Sequence, residues 1–157
     1  MIHPLFPGSF DPPTKGHVDL IERALRLYGQ LRVAVAKNTS KTPLLSVEER
    51  VDLLRACLGE RPGLDVVTFE GLVVDYCQAH GHSVILRGLR TVADLEYEYS
   101  MALTNRQFAP AVETVFLMPS LAHSFTSSTL IKEVLKNRGD VSAFLPQIVI
   151  DRLAEKP

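Results

Sequence analysis

Short, nearly continuous apolar runs alternate with amphipathic segments along this chain, and that alternation is what most limits the folds open to it. Residues 31–36, 64–69, 83–86 and 114–117 read as strands covered on both faces. Between them, Val18, Ile21, Leu25 and Tyr28 recur at helical spacing ahead of Gly29, a C-terminal stop. Ser46-Val47-Glu48-Glu49 is a capping box, and it opens a helix with Val47, Val51, Leu54 and Leu58 on one face. Residues 72–79 predict a short third helix. Residues 91–108 predict the longest, with Thr91 and Asp94 as a cap pair. A helix over 129–137 is stopped by Gly139, and one over 147–154 closes the chain. Phe6 ends a first strand that must start late, because Pro4 cannot donate to a ladder. Strands separated by helices imply right-handed crossovers. The fold class is therefore α/β: a doubly wound, Rossmann-like parallel five-stranded sheet with helices on both faces, a single domain over residues 1–157.

Composition narrows the partners more than the chemistry. A net charge of −1 over 157 residues gives no global basic field for nucleic acid or an anionic membrane. The apolar runs are too short to cross a bilayer, and Met1-Ile2-His3-Pro4-Leu5 has neither the cationic start nor the long apolar stretch of a signal peptide, so the expected compartment is the cytoplasm. Cys57 and Cys77 fit no CxxC pattern and are expected to be buried, reduced thiols. Cys77-Gln78-Ala79-His80-Gly81-His82 has metal-type side chains but no convincing fourth ligand, and a helix end stopped by Gly81 accounts for it better.

In a doubly wound sheet, ligands bind beyond the carboxyl ends of the strands, so the loops there carry the chemistry. The first is Phe6-Pro7-Gly8-Ser9-Phe10-Asp11-Pro12-Pro13-Thr14-Lys15-Gly16-His17, a Gly/Pro-rich turn that opens a helix. It is neither GxGxxG nor a Gly-Lys-Ser/Thr loop. Its Gly8 and Gly16 nevertheless allow close backbone approach, and its helix start favours an anion. His17, in the first helical turn, can donate a hydrogen bond to a phosphoryl oxygen. The second loop, Leu86-Arg87-Gly88-Leu89-Arg90, brings two guanidinium forks suited to phosphate. The third runs from Pro119 to Thr129, and its Ser127, Ser128 and Thr129 put hydroxyls and amides at a helix start. Read alone, Thr-x-Gly-His, the hydroxyl-rich cap, a solvated loop lysine at Lys41 and a polar helix face at Glu98 are each ordinary.

Together they are not. Pro7-Gly8-Ser9-Phe10-Asp11-Pro12 with Thr14-x-Gly16-His17, then Ser40-Lys41, Glu48-Glu49-Arg50, Arg87-Gly88-Leu89-Arg90, Asp94-x-Glu96-Tyr97-Glu98, Phe116-Leu117-Met118-Pro119-Ser120 and Ser127-Ser128-Thr129-x-x-Lys132-Glu133-Val134 strongly resemble the family of bacterial phosphopantetheine adenylyltransferases. The match keeps one order from about the fifth residue to the C-terminus. Thr-x-Gly-His marks only the wider nucleotidylyltransferase superfamily; the arginine motif, acidic helix and serine-rich loop make the resemblance specific.

The resemblance implies a reaction in which ATP and 4′-phosphopantetheine give dephospho-coenzyme A and pyrophosphate with Mg²⁺, in a homohexamer. It also implies site residues. Ser9, Phe10 and His17 contact ATP, Ser9 also touching the acceptor, and Lys41, Val73 and Arg87 line the phosphopantetheine site. Gly88, Leu89, Arg90 and Glu98 hold the nucleotide, as do His123, Ser124, Phe125, Thr126, Ser127, Ser128 and Thr129. Ser9 stands where threonine is common, His123 where the family often has tryptophan, and Thr129 where serine is usual. An acceptor phosphate is already a nucleophile, so positioning and charge stabilisation should suffice, with His17, Lys41 and Arg90 as the catalytic groups. A sister enzyme acting on another phosphate, such as nicotinate mononucleotide, and a non-catalytic nucleotide-binding regulatory domain share these expectations of fold.

Overall fold

The computed structural model of the chain describes residues 2–37, 43–124 and 126–155. Five parallel strands, β1 (Leu5–Gly8), β2 (Leu31–Ala36), β3 (Leu64–Phe69), β4 (Val84–Gly88) and β5 (Glu113–Leu117), form one sheet in the order β3-β2-β1-β4-β5. Among the described residues six α-helices accompany them: α1 (Lys15–Tyr28), α2 (Val47–Leu58), α3 (Val73–His80), α4 (Val92–Phe108), α5 (Ser128–Lys136) and α6 (Gln147–Ala154). The doubly wound sheet expected from the alternation is the sheet observed.

Local chemistry sets most boundaries. Thr14 caps α1, and Gly29, at φ 73, ends it in the left-handed region where only glycine is unstrained. Ser46 and Glu49 satisfy each other's backbone N–H groups at the start of α2. Thr91 accepts the Asp94 N–H, but the Asp94 carboxylate turns to Arg90, so the expected cap pair of α4 works in one direction only. α5 ends one residue early. The left-handed position there is Arg138, at φ 56, while Gly139 gives room for Val134, whose Cγ1 would lie 2.7 Å from an added Cβ. Gly81, at φ 70, terminates α3 as expected.

The core is split by the sheet. Leu20, Ile21 and Ala24 of α1 and Val51, Leu54 and Leu58 of α2 cover one face; Val74 and Cys77 of α3 with Ala109 and Val112 cover the other. A third cluster joins α2, α5 and α6 through Leu53, Ile131 and Val149. Two expectations need correcting. Cys77 is buried, but Cys57 is only half-buried, because it sits where that third cluster meets solvent. The two edge strands, β3 and β5, are half-exposed rather than covered: Val66 is the one buried residue of β3, and beside β5 the helix α4 buries no large apolar side chain.

Candidate active site

β1 and β4 are the central strands at which the winding of the sheet reverses, the position where such sheets open a ligand crevice. The chemistry of β1 widens it. Leu5 pairs with Ile85, but Pro7 has no N–H with which to extend the ladder. Its carbonyl is taken instead by a side chain, Arg87 Nη1 at 3.0 Å. Beyond this seam lies a cavity of about 260 Å³, joined through Arg87 and Glu98 to a second of about 220 Å³.

His17 faces the first cavity from the opening turn of α1. Its Nδ1 accepts the backbone N–H of Thr14 at 3.1 Å, completing the capping box from N3. An N–H can only donate, so Nδ1 is unprotonated and the proton resides on Nε2. Burial, then the charges of Arg90 and Arg87, lower the His17 pKa to about 4. The imidazole is therefore neutral near pH 7 and presents one donor. Phe10 supports it from below. This residue takes a left-handed φ of 49, rare for a bulky side chain, and the turn tucks its ring edge-on to His17 at 5.0 Å and beside Phe6 at 5.8 Å. With 1 % of its surface exposed, Phe10 has mainly backbone to offer a ligand. Gly8 leaves room for the same ring, which would stand 2.9 Å from a Cβ there, so its lack of a side chain serves this packing as well as any ligand.

Both arginines arrive with carboxylates. Arg87 Nε and Nη2 donate to Glu98 at 2.8 and 2.6 Å, a bidentate pair. Arg90 Nε and Nη2 donate to Asp94 at 3.0 and 3.1 Å, and its Nη1 donates to the Thr126 carbonyl at 2.9 Å. Asp94 and Glu98 are one turn apart on α4, so a single helix aims both forks. Three of the five N–H donors of each guanidinium are used in these contacts, and two remain without a partner among the described residues.

The hydroxyl-rich segment closes the other side. Ser127 caps α5 by accepting the Leu130 N–H, and Ser128 Oγ donates to the Pro12 carbonyl. Among the residues singled out from the sequence, Ser9, Phe10, His17, Arg87, Gly88, Arg90, Glu98, His123, Thr126, Ser127, Ser128 and Thr129 all line the first cavity. Val73 lines the second, with Phe69, Met101 and Ala102. Leu72, its neighbour in the chain, is absent from that lining and 55 % exposed. Leu89 and Ser124 also stand off both cavities. The Leu89 N–H continues the sheet to the Leu117 carbonyl, and Ser124 Oγ donates to the Ser120 carbonyl. Lys41 and Phe125 lie outside the described residues.

Two residues had been quoted only as parts of motifs. Arg50, 1 % exposed, donates to the carbonyls of Ser46, Ser9 and Ala36 and so ties the ends of β1 and β2 together. Asp11, equally buried, accepts the N–H groups of Leu44 and Leu45 and pairs with Lys132. The signal for Arg50 was its place on the apolar face of α2, between Val47 and Val51; Asp11 carries no comparable sign. The cysteine and histidine cluster set aside as a metal site has other partners. His82 Nδ1 donates to the His3 carbonyl at 2.7 Å, and His80 stacks on Tyr76.

The sequence profile of the cytidylyltransferase-like family matches residues 5–134 of the chain. Over 156 residues the chain is 46 % identical to the phosphopantetheine adenylyltransferase of Dictyoglomus turgidum, covering 99 % of this chain and 98 % of that one. It is 48 % identical over 152 residues to the enzyme of the same name from Desulforamulus reducens, covering 97 % and 94 %. Among solved structures, the lipopolysaccharide core biosynthesis protein from Thermoplasma volcanium GSS1 superposes with a TM-score of 0.54 at 19 % identity, over 76 % of this chain and 97 % of that one. That last likeness is one of fold.

Proposed function

Since the chain belongs to the cytidylyltransferase-like family and, within it, to the phosphopantetheine adenylyltransferases, we infer that the two joined cavities take the two substrates of that reaction. The chain transfers the adenylyl group of ATP to 4′-phosphopantetheine, giving dephospho-coenzyme A and pyrophosphate. Identity of 46–48 % over nearly the whole chain carries this conclusion.

In our reading the polar cavity, with His17, Arg90 and Ser127, receives ATP, and the more apolar one, with Val73 and Met101, receives the neutral arm of the acceptor. The acceptor phosphate oxygen bonds to the α-phosphorus of ATP as the bond to the pyrophosphate oxygen breaks, and no proton need be removed first. His17 donates from Nε2 to a non-bridging oxygen of the α-phosphoryl group as charge builds there. Its low pKa favours this role, because the donor is in place without a positive charge that would hold the ground-state triphosphate equally well. Arg87 and Lys41 align the incoming phosphate, and the remaining N–H groups of Arg90, with the amides at the start of α5, receive the departing pyrophosphate.

Mg²⁺ fits here as a companion of the triphosphate. Asp94 and Glu98 are committed to arginines, but Ser9, Ser127 and Thr129 offer hydroxyl oxygens, and Mg²⁺ on a nucleotide needs few protein ligands. Bound there, it would neutralise phosphate charge.

The homohexamer belongs to the same proposal. Val92, Leu95, Tyr99 and Leu103 form an exposed stripe along α4, which another copy would cover; sedimentation velocity reads this directly. Among the described residues no helix is long and apolar enough to cross a membrane, and we place the enzyme in the cytoplasm, where both free thiols would stay reduced.

A pyrophosphate-release assay tests the whole. We expect turnover with 4′-phosphopantetheine, none with pantetheine, which lacks the nucleophile, and little with nicotinate mononucleotide. Lys41→Ala and Arg87→Ala should impair acceptor use while sparing ATP binding. Comparable turnover with nicotinate mononucleotide would move the chain to a different acceptor, and ATP binding without any turnover would make it a nucleotide-binding regulator.

A further inference from the structure

α1 carries His17 into the cavity, and farther along the same helix it grips the segment that walls the nucleotide side. Gly16, Asp19 and Arg23 recur at helical spacing and meet the chain after β5 in order. Gly16 is buried and faces His123, whose Cβ is 3.5 Å from where a Cβ on Gly16 would stand, the distance of ordinary contact. Asp19 Oδ2 accepts the Ser120 N–H at 3.0 Å. Arg23 Nη1 donates to the Met118 carbonyl and stands 3.5 Å from the same Asp19 oxygen.

From Ser120 the geometry passes inward. Its carbonyl accepts the His123 N–H at 2.9 Å and the Ser124 hydroxyl at 3.1 Å, closing the 3-10 turn Leu121–His123 that sets His123 on the cavity wall. At the far end, the His123 carbonyl accepts the Thr126 N–H, and Arg90 holds the Thr126 carbonyl. The strap is thus anchored at one end by a cavity arginine. At the other it is anchored by Asp19 and Arg23, neither of which lines the cavity.

We propose that Asp19, with Arg23, is a positioning residue for the nucleotide: it fixes the height of the His123 wall above the helix that carries His17, and thereby sets affinity for ATP. The proposal rests on the reading that this cavity takes ATP. Asp19 acts through Ser120, and Arg23 through Met118, so the effect falls on the nucleotide side. The acceptor cavity, which the strap does not line, stays as it is.

Isothermal titration of ATP without acceptor, beside initial rates of pyrophosphate release, tests it in the full chain. Asp19→Ala, leaving the Ser120 N–H without its charged acceptor, should weaken ATP binding and raise its KM about tenfold. At saturating ATP, kcat and the KM for 4′-phosphopantetheine should stay within about twofold of wild type. Asp19→Asn keeps an oxygen for the Ser120 N–H and should restore most of the affinity. Arg23→Ala, losing the outer anchor, should weaken ATP by about threefold. An equal loss for ATP and acceptor, or a lowered melting temperature with unchanged ATP affinity, would overturn the proposal. So would Asp19→Asn binding as poorly as Asp19→Ala. Should Asp19→Ala not fold, Asp19→Asn and Arg23→Ala decide, and unchanged ATP affinity in Arg23→Ala counts against it. Wild-type ATP binding without turnover would defeat the functional reading alone, because the affinity comparison among variants would still stand.

Discussion

His17 does two jobs with its two ring nitrogens. Nδ1 completes the cap of α1, and Nε2 is left as a donor in the cavity. His17→Ala loses both, and kcat should fall by roughly 10²–10³ while ATP affinity changes little. Glutamine is itself a capping-box residue whose carbonyl can accept the Thr14 N–H while its amide donates. His17→Gln should therefore keep the melting temperature and retain more activity than His17→Ala, measured by the same pyrophosphate assay. Equal rates for the two variants would show that no donor is needed at this position. A histidine proton resonance that titrates near pH 4 rather than near 6.5 should belong to His17.

At the scale of elements, much of the frame was legible because its causes are local. The cap of α2 and the glycine that ends α1 depend on residues a few positions apart, and their bounds followed from spacing alone. What was not legible depends on partners far along the chain. Arg50 sits at a core position of α2, and only the fold shows that its donors reach the ends of β1 and β2. The same holds for Asp11 with Lys132, for Asp19 with Ser120, and for the carboxylate fork that Glu98 offers Arg87. Strand-end position placed the two arginines correctly at the crevice, but nothing in the spacing said that one helix would aim both. Arg50→Ala should lower stability by about 2–4 kcal/mol in urea unfolding, since it leaves carbonyls buried without their charged donor. It should also raise the KM for both substrates, because it loosens the strand ends between them.

Over the whole molecule, acid should be the telling stress. The pKa of His17 is lowered chiefly by burial, then by Arg90 and Arg87. That of His82 is lowered by burial, against a hydrogen bond to the His3 carbonyl that raises it, with the charges of His3, Arg32 and His80 adding to the lowering. A histidine held below its unfolded value binds its proton more readily in the unfolded chain. Its neutral folded form is favoured above about pH 6.5, and that stability is lost as pH falls towards the folded value. For His17, with a folded pKa of about 4, the loss should reach about 3 kcal/mol across that window. Unfolding free energies measured at pH 7 and at pH 4.5 should differ accordingly, and the difference should shrink in His17→Gln. Equal stabilities at the two pH values would mean that His17 titrates freely in the folded protein.

The seam between β1 and β4 gives the molecule a mechanical character as well. At the ligand edge the sheet is stitched by a guanidinium reaching the Pro7 carbonyl, so its two halves, β3-β2-β1 and β4-β5, meet there through a side chain rather than a backbone ladder. Substrates lodged across that line bear on both halves, as a rivet bears on two plates. An empty molecule should therefore flex most along the seam, a filled one should stiffen, and the order in which the substrates arrive would decide which plate is fastened first.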